Sequence, residues 1–474
     1  MNKVLPLFIF LVCSLGAQAQ GHRISLKSNY RSGIAYLTYY MGTDYLLQDS
    51  AAVSNTGLAV FKGDKKLPPG VYSVVFPGKR LTADFLVDKE QVITITADTN
   101  YLERIEITGS PANLAFRDYR KFADTKGKQL QAEKNAYNGA RTRADSLLHE
   151  ATYKRYSKEL IDYRLGVISA APNSMMATLF NAMKDPPYPT KIAVTHADSL
   201  ANYNYYKDHY WDGISFMDDR VIRTPFFLPK LQTYYRQVMS QSSDSIIADA
   251  DYKLLLARSN PEVYKFLLNW LTDEYISPKY MGQDAIFVHL FEKYHSKGLS
   301  AWLSEKQHEA ISRRAYMVMS NLIGEKAADL DFTDTSGKQA SLYNMNAAYT
   351  VVVFWDPTCG HCKVEIPRID SFYRASWQKN NVKMYAVLTE KEKEKDAWLR
   401  FIRANNITDW KHVYQADAVA EKELKEQIPS FRQLYDITST PALYLLDKDK
   451  RIIAKKLTPE QLNDLLNVKF AKAN

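Results

Sequence analysis

The sequence predicts three folded regions in series: an antiparallel β sandwich-like domain over residues 20–110, an all-α domain over 111–324 and an α/β domain over 325–474. Three observations carry this division. Short strand-like runs broken by turn signals fill the first region. Apolar residues at helical spacing behind capping residues fill the second, and strand-like and helix-like segments alternate through the third. With 474 residues, 46% hydrophobic and 12% aromatic, the chain has apolar surface for several packed cores.

A leader precedes them. Residues 1–19 run MNK, an apolar stretch from Val4 to Leu15, and Ala17-Gln18-Ala19, the charged, apolar and small-x-small parts of a secretory signal peptide. The mature chain is expected to begin near Gln20. A membrane anchor needs about 20 apolar residues, and this run is shorter. Cys13 follows Val12, where lipidation requires a small residue, which argues against a lipoprotein. No later segment is long and apolar enough to span a bilayer, so the mature chain is expected to be periplasmic.

In the first region RISLKS, IAYLTYY, LAVFKG, GVYSVVF, ADFLV, QVITITAD and RIEITG read as strands, punctuated by Pro68-Pro69-Gly70, Pro77-Gly78 and Gly109-Ser110-Pro111. In the second, Asn260-Pro261 places a capping side chain before proline at the first helical position, and Val263, Phe266, Leu267, Trp270 and Leu271 then share a face. Ser304 with Gln307 forms a capping-box pattern. The tyrosine-rich ANYNYYKDHYWDGISF (201–216) is read as aromatic packing between helices rather than a ligand platform. The third region runs as a hairpin-like lead-in DFTDTSGKQASL, a buried strand YTVVVFW, a helix CKVEIPRIDSFYRASWQ and a strand VKMYAVLT. An inserted helix, a short segment around TDWKHVYQAD, a helix at 418–427, PALYLLD, a DKDK turn into RIIAKKL, and a closing helix TPEQLNDLLNVKF complete it.

A formal charge of +9 raises the question of an anionic partner. The basic residues are interleaved with acids, as in TEKEKEKDAWLR (389–400), which reads as a solvated helix face. No nucleic-acid motif is present, so nucleic acid is discounted as a partner, and loose attraction to anionic membrane surfaces is the alternative left open by the charge.

The chain has 3 cysteines, and export would leave Cys359 and Cys362. A bridge between them closes a very small loop and stabilises little through chain entropy, so a structural staple explains them poorly. A structural zinc needs four ligands. The histidines at 196, 209, 289, 295, 308 and 412 lack ligand spacing, and most read as surface or core-edge residues; no metal is expected. The pair lies instead directly after a strand and at the start of a helix, in VVVFWDPTCGHCKVEIP (351–367). There Cys359 faces unpaired backbone N–H groups and the positive end of the helix dipole, which favours its thiolate. Cys362, one turn on, can resolve a mixed disulfide. Pro367 is expected to kink the helix. Thr440-Pro441 before ALYLLD is expected to be a cis bond that exposes backbone to an extended substrate.

Trp355 before the motif, CxxC at a helix start, proline five residues later, Thr-Pro before a strand and the GK-containing hairpin together resemble the TlpA/ResA-like thiol-disulfide oxidoreductases. The resemblance covers residues 325–474 and implies a thioredoxin fold there. GLAVFKG, PPGVYSVVF and ITGSPAN are similar to an uncharacterised β domain that precedes such modules in exported bacterial proteins. The buried acid of classical thioredoxins would fall at Val353. The resemblance implies Glu365 in its place, taking the proton of Cys362 if burial raises its pKa; the bland alternative is a solvated first-turn glutamate. Thr358 stands where many relatives carry tryptophan, giving a smaller, more polar rim. Gly360-His361 completes CGHC, the motif of disulfide isomerases, and an imidazole there can stabilise the Cys359 thiolate.

The resemblance implies an exported thiol:disulfide oxidoreductase, with Cys359 as nucleophile and Cys362 resolving. It would act on protein thiols or disulfides outside the cytoplasm, with a membrane electron donor and no cofactor beyond the Cys359–Cys362 disulfide. A reductase follows from the family and an oxidase or isomerase from the motif. Two other readings stand beside it: a surface-ligand binding protein whose CxxC is a redox-sensitive element, and a thiol peroxidase, for which WDPTC lacks the spaced proline-threonine-cysteine arrangement.

Overall fold

The computed structural model describes residues 21–79, 81–101, 105–190, 192–390 and 392–473. The leader, Cys13 and the processing site at Ala19–Gln20 lie outside the described residues. The remainder divides into two compact units, one of the residues up to Met239 with Leu255–Tyr264, the other of Ser240–Leu254 with Lys265 onward.

The first unit opens with β1 His22–Ser28, β2 Ile34–Met41, β3 Asp44–Ala52, β4 Leu58–Gly63, β5 Gly70–Val75, β6 Thr82–Val87, β7 Val92–Ala97 and β8 Glu106–Thr108. They form two four-stranded sheets, β4-β1-β7-β8 and β3-β2-β5-β6. Alternate residues face inward, so Ile24, Leu26, Phe61, Ile93 and Ile95 meet Leu37, Tyr72, Val74 and Phe85 in one core. The sandwich departs from a wholly antiparallel pattern because β1 and β7 pair in parallel. The chain between them crosses to build the other sheet, so β7 returns beside β1 in the same direction. Strand β3 was not expected: it is an edge strand with no buried residue, so it carries no alternation to read.

Helices α1 Pro111–Gly139, α2 Arg143–Ala170, α3 Met175–Met183, α4 His196–Asp208 and α5 Phe227–Thr233 follow. Ser110 caps α1, accepting from Asn113 N at 3.3 Å, with Pro111 in the first turn. Asn113 then pairs with β6 as a strand would, exchanging two 2.7 Å bonds with the Leu86 backbone. Tyr119, Met175, Met176, Leu179 and Phe180 bury against Val71 and Leu86. The tyrosine-rich segment does pack: Tyr210 meets Tyr234 at 4.9 Å and Trp211 meets Phe216 at 5.0 Å between ring centroids.

Helices α6 Ser243–Ala257, α7 Pro261–Tyr275, α8 Asp284–Leu290 and α9 Glu305–Met319 lead into the second unit. The Asn260 side chain accepts from Glu262 N at 3.2 Å, the Ser304–Gln307 capping box is formed, and Val263, Leu267 and Leu271 are buried. Helices α1 and α3 bury their apolar residues on the sandwich, while α9 is tied to the last domain through Arg314 to Asp436 at 2.6 Å, and Asn321 just beyond it donates to Leu434 O at 3.0 Å.

The last domain contains β9 Asp331–Asp334, β10 Gln339–Ser341, β11 Tyr349–Trp355, α10 Gly360–Phe372, β12 Val382–Leu388, α11 Lys395–Ala404 and β13 Lys411–Tyr414. After these come α12 Asp417–Lys425, α13 Phe431–Leu434, β14 Ala442–Asp447, β15 Ile452–Lys455 and α14 Pro459–Ala473. Its sheet runs β10-β9-β13-β12-β11-β14-β15. Strand β11 is parallel to β12 and antiparallel to β14, as expected when α10 is the crossover between β11 and β12. Val351, Val353 and Trp355 meet Ile366, Ile369, Leu462 and Leu466 on one face. Val352 and Phe354 meet Phe431, Tyr435 and Tyr444 on the other. This is a thioredoxin-like α/β fold. Helix α10 runs to Phe372 with Pro367 inside it.

Candidate active site

The reactive turn hangs from the end of the central strand. Beyond Trp355 the chain bends through Asp356-Pro357-Thr358, and the Asp356 carboxylate holds the bend by accepting from Thr358 N at 2.7 Å and Thr358 Oγ1 at 2.8 Å. The Asp356 carbonyl accepts from Cys359 N at 3.3 Å. Cys359 occupies the N-cap of α10 with extended backbone, φ −67° and ψ 126°, and makes no side-chain capping bond. Its sulfur is therefore left beside the open N–H groups of the first turn.

The two thiols are unbridged and differ in environment. Cys359 is part-exposed and Cys362 fully buried. Burial pushes the Cys359 thiol up. The Cys362 backbone N–H, the Thr440 side chain, the Cys362 thiol and the His361 backbone N–H outweigh it, and the net direction is down. The protonated Cys359 thiol donates to the Thr440 carbonyl at 3.6 Å, a contact that only the neutral form can make. Cys362 is pushed up to about 12, foremost by burial and further by the neighbouring Cys359; hydrogen bonds from Asp356 N–H, 3.5 Å from its sulfur, and from Thr440 offset this in part. The pair is thus one accessible sulfur whose thiolate is favoured relative to a free cysteine and one buried thiol that keeps its proton at neutral pH.

Thr440–Pro441 is a cis peptide. The register Phe354↔Ala442 between β11 and β14 brings this bond beside Cys359. Trp355 is fully buried, against Phe401 at 5.2 Å and His412 at 6.2 Å. Gly360 is exposed, and a Cβ there would meet nothing. Among the described residues the exposed His361 imidazole makes no hydrogen bond, and its backbone N–H alone serves Cys359. Glu365 is half-buried and held by Arg368 Nη1 at 2.8 and 3.0 Å, while Arg368 also bonds Glu460. Glu365 therefore sits one turn beyond Cys362 with its carboxylate engaged by a guanidinium. Val353 is buried with no polar atom at that position. Of the six histidines weighed above, His295 and His412 are buried. His412 bonds the Ile407 carbonyl at 2.7 Å, and burial pushes its pKa down to about 4.

Sequence reasoning missed Asp356, Arg368 and Glu460. An Asp two residues before a Thr in a proline-containing bend is the signal for the first, and the i, i+3 spacing of Glu365 and Arg368 for the second. Glu460 is contributed by a different helix and has no local signal.

Residues 323–455 match the AhpC/TSA family, and residues 23–116 match a domain of unknown function, DUF4369. The last domain is a thioredoxin-like domain of the AhpC/TSA family. A domain of a possible thiol-disulfide isomerase from Cytophaga hutchinsonii is 38% identical, covering 32% of this chain and 95% of its own, with a TM-score of 0.27. The thioredoxin domain of a thiol-disulfide oxidoreductase from Bacteroides vulgatus is 25% identical over 31% and 96%, with a TM-score of 0.27. A thioredoxin-like protein from Bacteroides caccae is 20% identical over 60% and 99%, with a TM-score of 0.46. No curated protein matches the chain. Two of these relatives are thus named a possible thiol-disulfide isomerase and a thiol-disulfide oxidoreductase, and among the described residues of this chain no helix is long and apolar enough to cross a membrane.

Proposed function

We propose that this protein is an exported thiol:disulfide oxidoreductase that reduces disulfides of extracytoplasmic proteins through Cys359-Gly360-His361-Cys362. The observation that carries the reading is the division of labour between the two sulfurs: Cys359 accessible with its thiolate favoured, Cys362 buried with its proton held to about 12. The Cys359 thiolate attacks one sulfur of a substrate disulfide. The substrate S–S bond breaks, a mixed disulfide forms, and the departing substrate thiolate takes a proton from solvent. Cys362 then gives up its proton and attacks Cys359 Sγ, releasing the second substrate thiol and leaving a Cys359–Cys362 disulfide. The substrate gains two electrons, which an external dithiol donor at the membrane returns to the protein. No other cofactor enters.

Glu365 is the acceptor for the Cys362 proton in this reading, freed when Arg368 shifts to its second partner, Glu460. Reduction, rather than oxidation, is taken from the resemblance to the TlpA/ResA-like oxidoreductases, and the contacts that favour the Cys359 thiolate set how reducing the pair is. The test is the Cys362→Ser variant, which retains the attacking thiolate and lacks the resolving one. It accumulates mixed disulfides with extracytoplasmic proteins, separable by non-reducing electrophoresis; product release at the wild-type rate would refute the assignment of roles.

A further inference from the structure

The second unit contains a groove of about 740 Å³ between residues 277–282, ahead of α8, and the chain around Asp436, Thr438 and Lys455–Leu457. A depression of about 110 Å³ that reaches Ser439 and Pro441 shares Asp436, Thr438, Lys456 and Leu457 with it. The groove is therefore continuous with the loop whose Thr440 carbonyl lies 3.6 Å from Cys359 Sγ. We propose that it receives the polypeptide flanking the target cysteine and selects substrates with acidic side chains in that flank. This deepens the disulfide-exchange reading and rests on it.

The charges give the direction. Lys279, Arg314, Lys455 and Lys456 line the groove against two carboxylates, Asp284 and Asp436. Both carboxylates are already engaged: Asp436 accepts from Arg314 at 2.6 Å and Lys456 at 2.5 Å, and Asp284 from the buried Lys455. Lys279 is exposed and pairs with no carboxylate among the described residues. An incoming carboxylate meets net positive charge, and an incoming lysine meets repulsion.

The wall is also rigid. Lys455 Nζ donates to Asn321 Oδ1 at 2.6 Å and Asn321 O at 2.7 Å, and Lys455 N donates to Met281 Sδ at 3.4 Å. Arg314 is held a second time by the Ile276 carbonyl at 3.1 Å. Tyr280 and Met281 stand half-exposed at the mouth, side chains of the kinds that enrich protein-binding surfaces. Such a preformed wall loses little freedom when a chain docks.

The test uses the reduced full-length protein and two synthetic peptides, each carrying one cysteine in a mixed disulfide with a chromophoric thiol, with glutamates or lysines beside that cysteine. At low ionic strength the glutamate peptide reacts on the order of tenfold faster, and salt narrows the difference. Lys279→Glu lowers the ratio by about threefold, while Lys158→Glu, the same charge change on an exposed lysine of α2, leaves it in place and so removes net charge as the cause. Equal rates for the two peptides, or equal losses of preference in both variants, overturn the groove while leaving disulfide exchange intact. Reaction with neither peptide overturns both proposals.

Discussion

Two buried polar centres of the second unit, the Cys362 thiol and the Lys455 ammonium, have opposite designs. Lys455 spends its three donors on Asp284 and on two oxygens of Asn321, so α8, the end of α9 and β15 are locked together. Cys362 has an N–H at 3.5 Å as its backbone contact and no charged partner. Burial with saturated polar groups fixes structure, because any departure leaves a charge unpaired. Burial with few partners leaves the thiol neutral and unreactive until a mixed disulfide on Cys359 comes within its reach.

The comparison can be broken at the cysteine pair or at the lysine. Cys359→Ser should lower disulfide exchange by three or more orders of magnitude, ~10³-fold being the scale of removing a nucleophile, with little change in thermal midpoint; retained turnover of a peptide disulfide would place the chemistry elsewhere. Lys455→Met leaves Asp284 buried and unpaired, and should cost about 3–5 kcal/mol in denaturant unfolding. A loss well under 1 kcal/mol would show that the cluster locks nothing.

Acid offers a third test, of side chains buried in the neutral form. His295 and His412 are buried, and desolvation foremost pushes each down to about 4 from an ordinary 6.5. The unfolded chain takes up these protons first as pH falls, so stability is complete above pH 6.5 and is lost between 6.5 and 4. Each contributes up to about 3 kcal/mol over that window. Thermal midpoints measured across it should fall, and His412→Phe should flatten the fall; a midpoint independent of pH over that range would contradict the buried neutral state.

Smaller effects sharpen the reactive side. Glu365→Gln should slow resolution by roughly 10²-fold and flatten its pH profile, whereas an unchanged profile would reduce Glu365 to the partner of Arg368. At position 361 two variants separate ring from backbone. His361→Ala keeps the N–H that serves Cys359 and should shift the reduction potential little. His361→Pro removes that N–H, and should raise the Cys359 pKa and lower the potential by about 30 mV, the equivalent of roughly 1.4 kcal/mol. Equal shifts in both variants would return the role to the imidazole.

What was legible in the sequence follows from how locally each feature is determined. YTVVVFW read as a strand because both of its faces are buried, and CxxC read as a site because strand, bend and helix are consecutive. The edge strand β3 was illegible because exposed residues need no pattern. The four-residue β13 passed as an unnamed segment, and α13, with its Ser430–Gln433 capping box, is too short to show a period. The charge state around Glu365 was half legible: Arg368 lies three residues on, Glu460 on another helix. Nothing local marks Lys455 as buried, since its partners come from α8 and from Asn321 in the turn after α9.

The ladder between β11 and β14 has a consequence for timing. Phe354 pairs with Ala442, so the chain leaving toward Cys359 and the chain arriving from Thr440 are adjacent rungs of the most buried part of the sheet. The amides of that strand pair exchange with solvent only when the sheet itself opens, so the strand ends from which Cys359 and Thr440 depart are fixed. Cys359 Sγ already faces the Thr440 carbonyl before any substrate arrives.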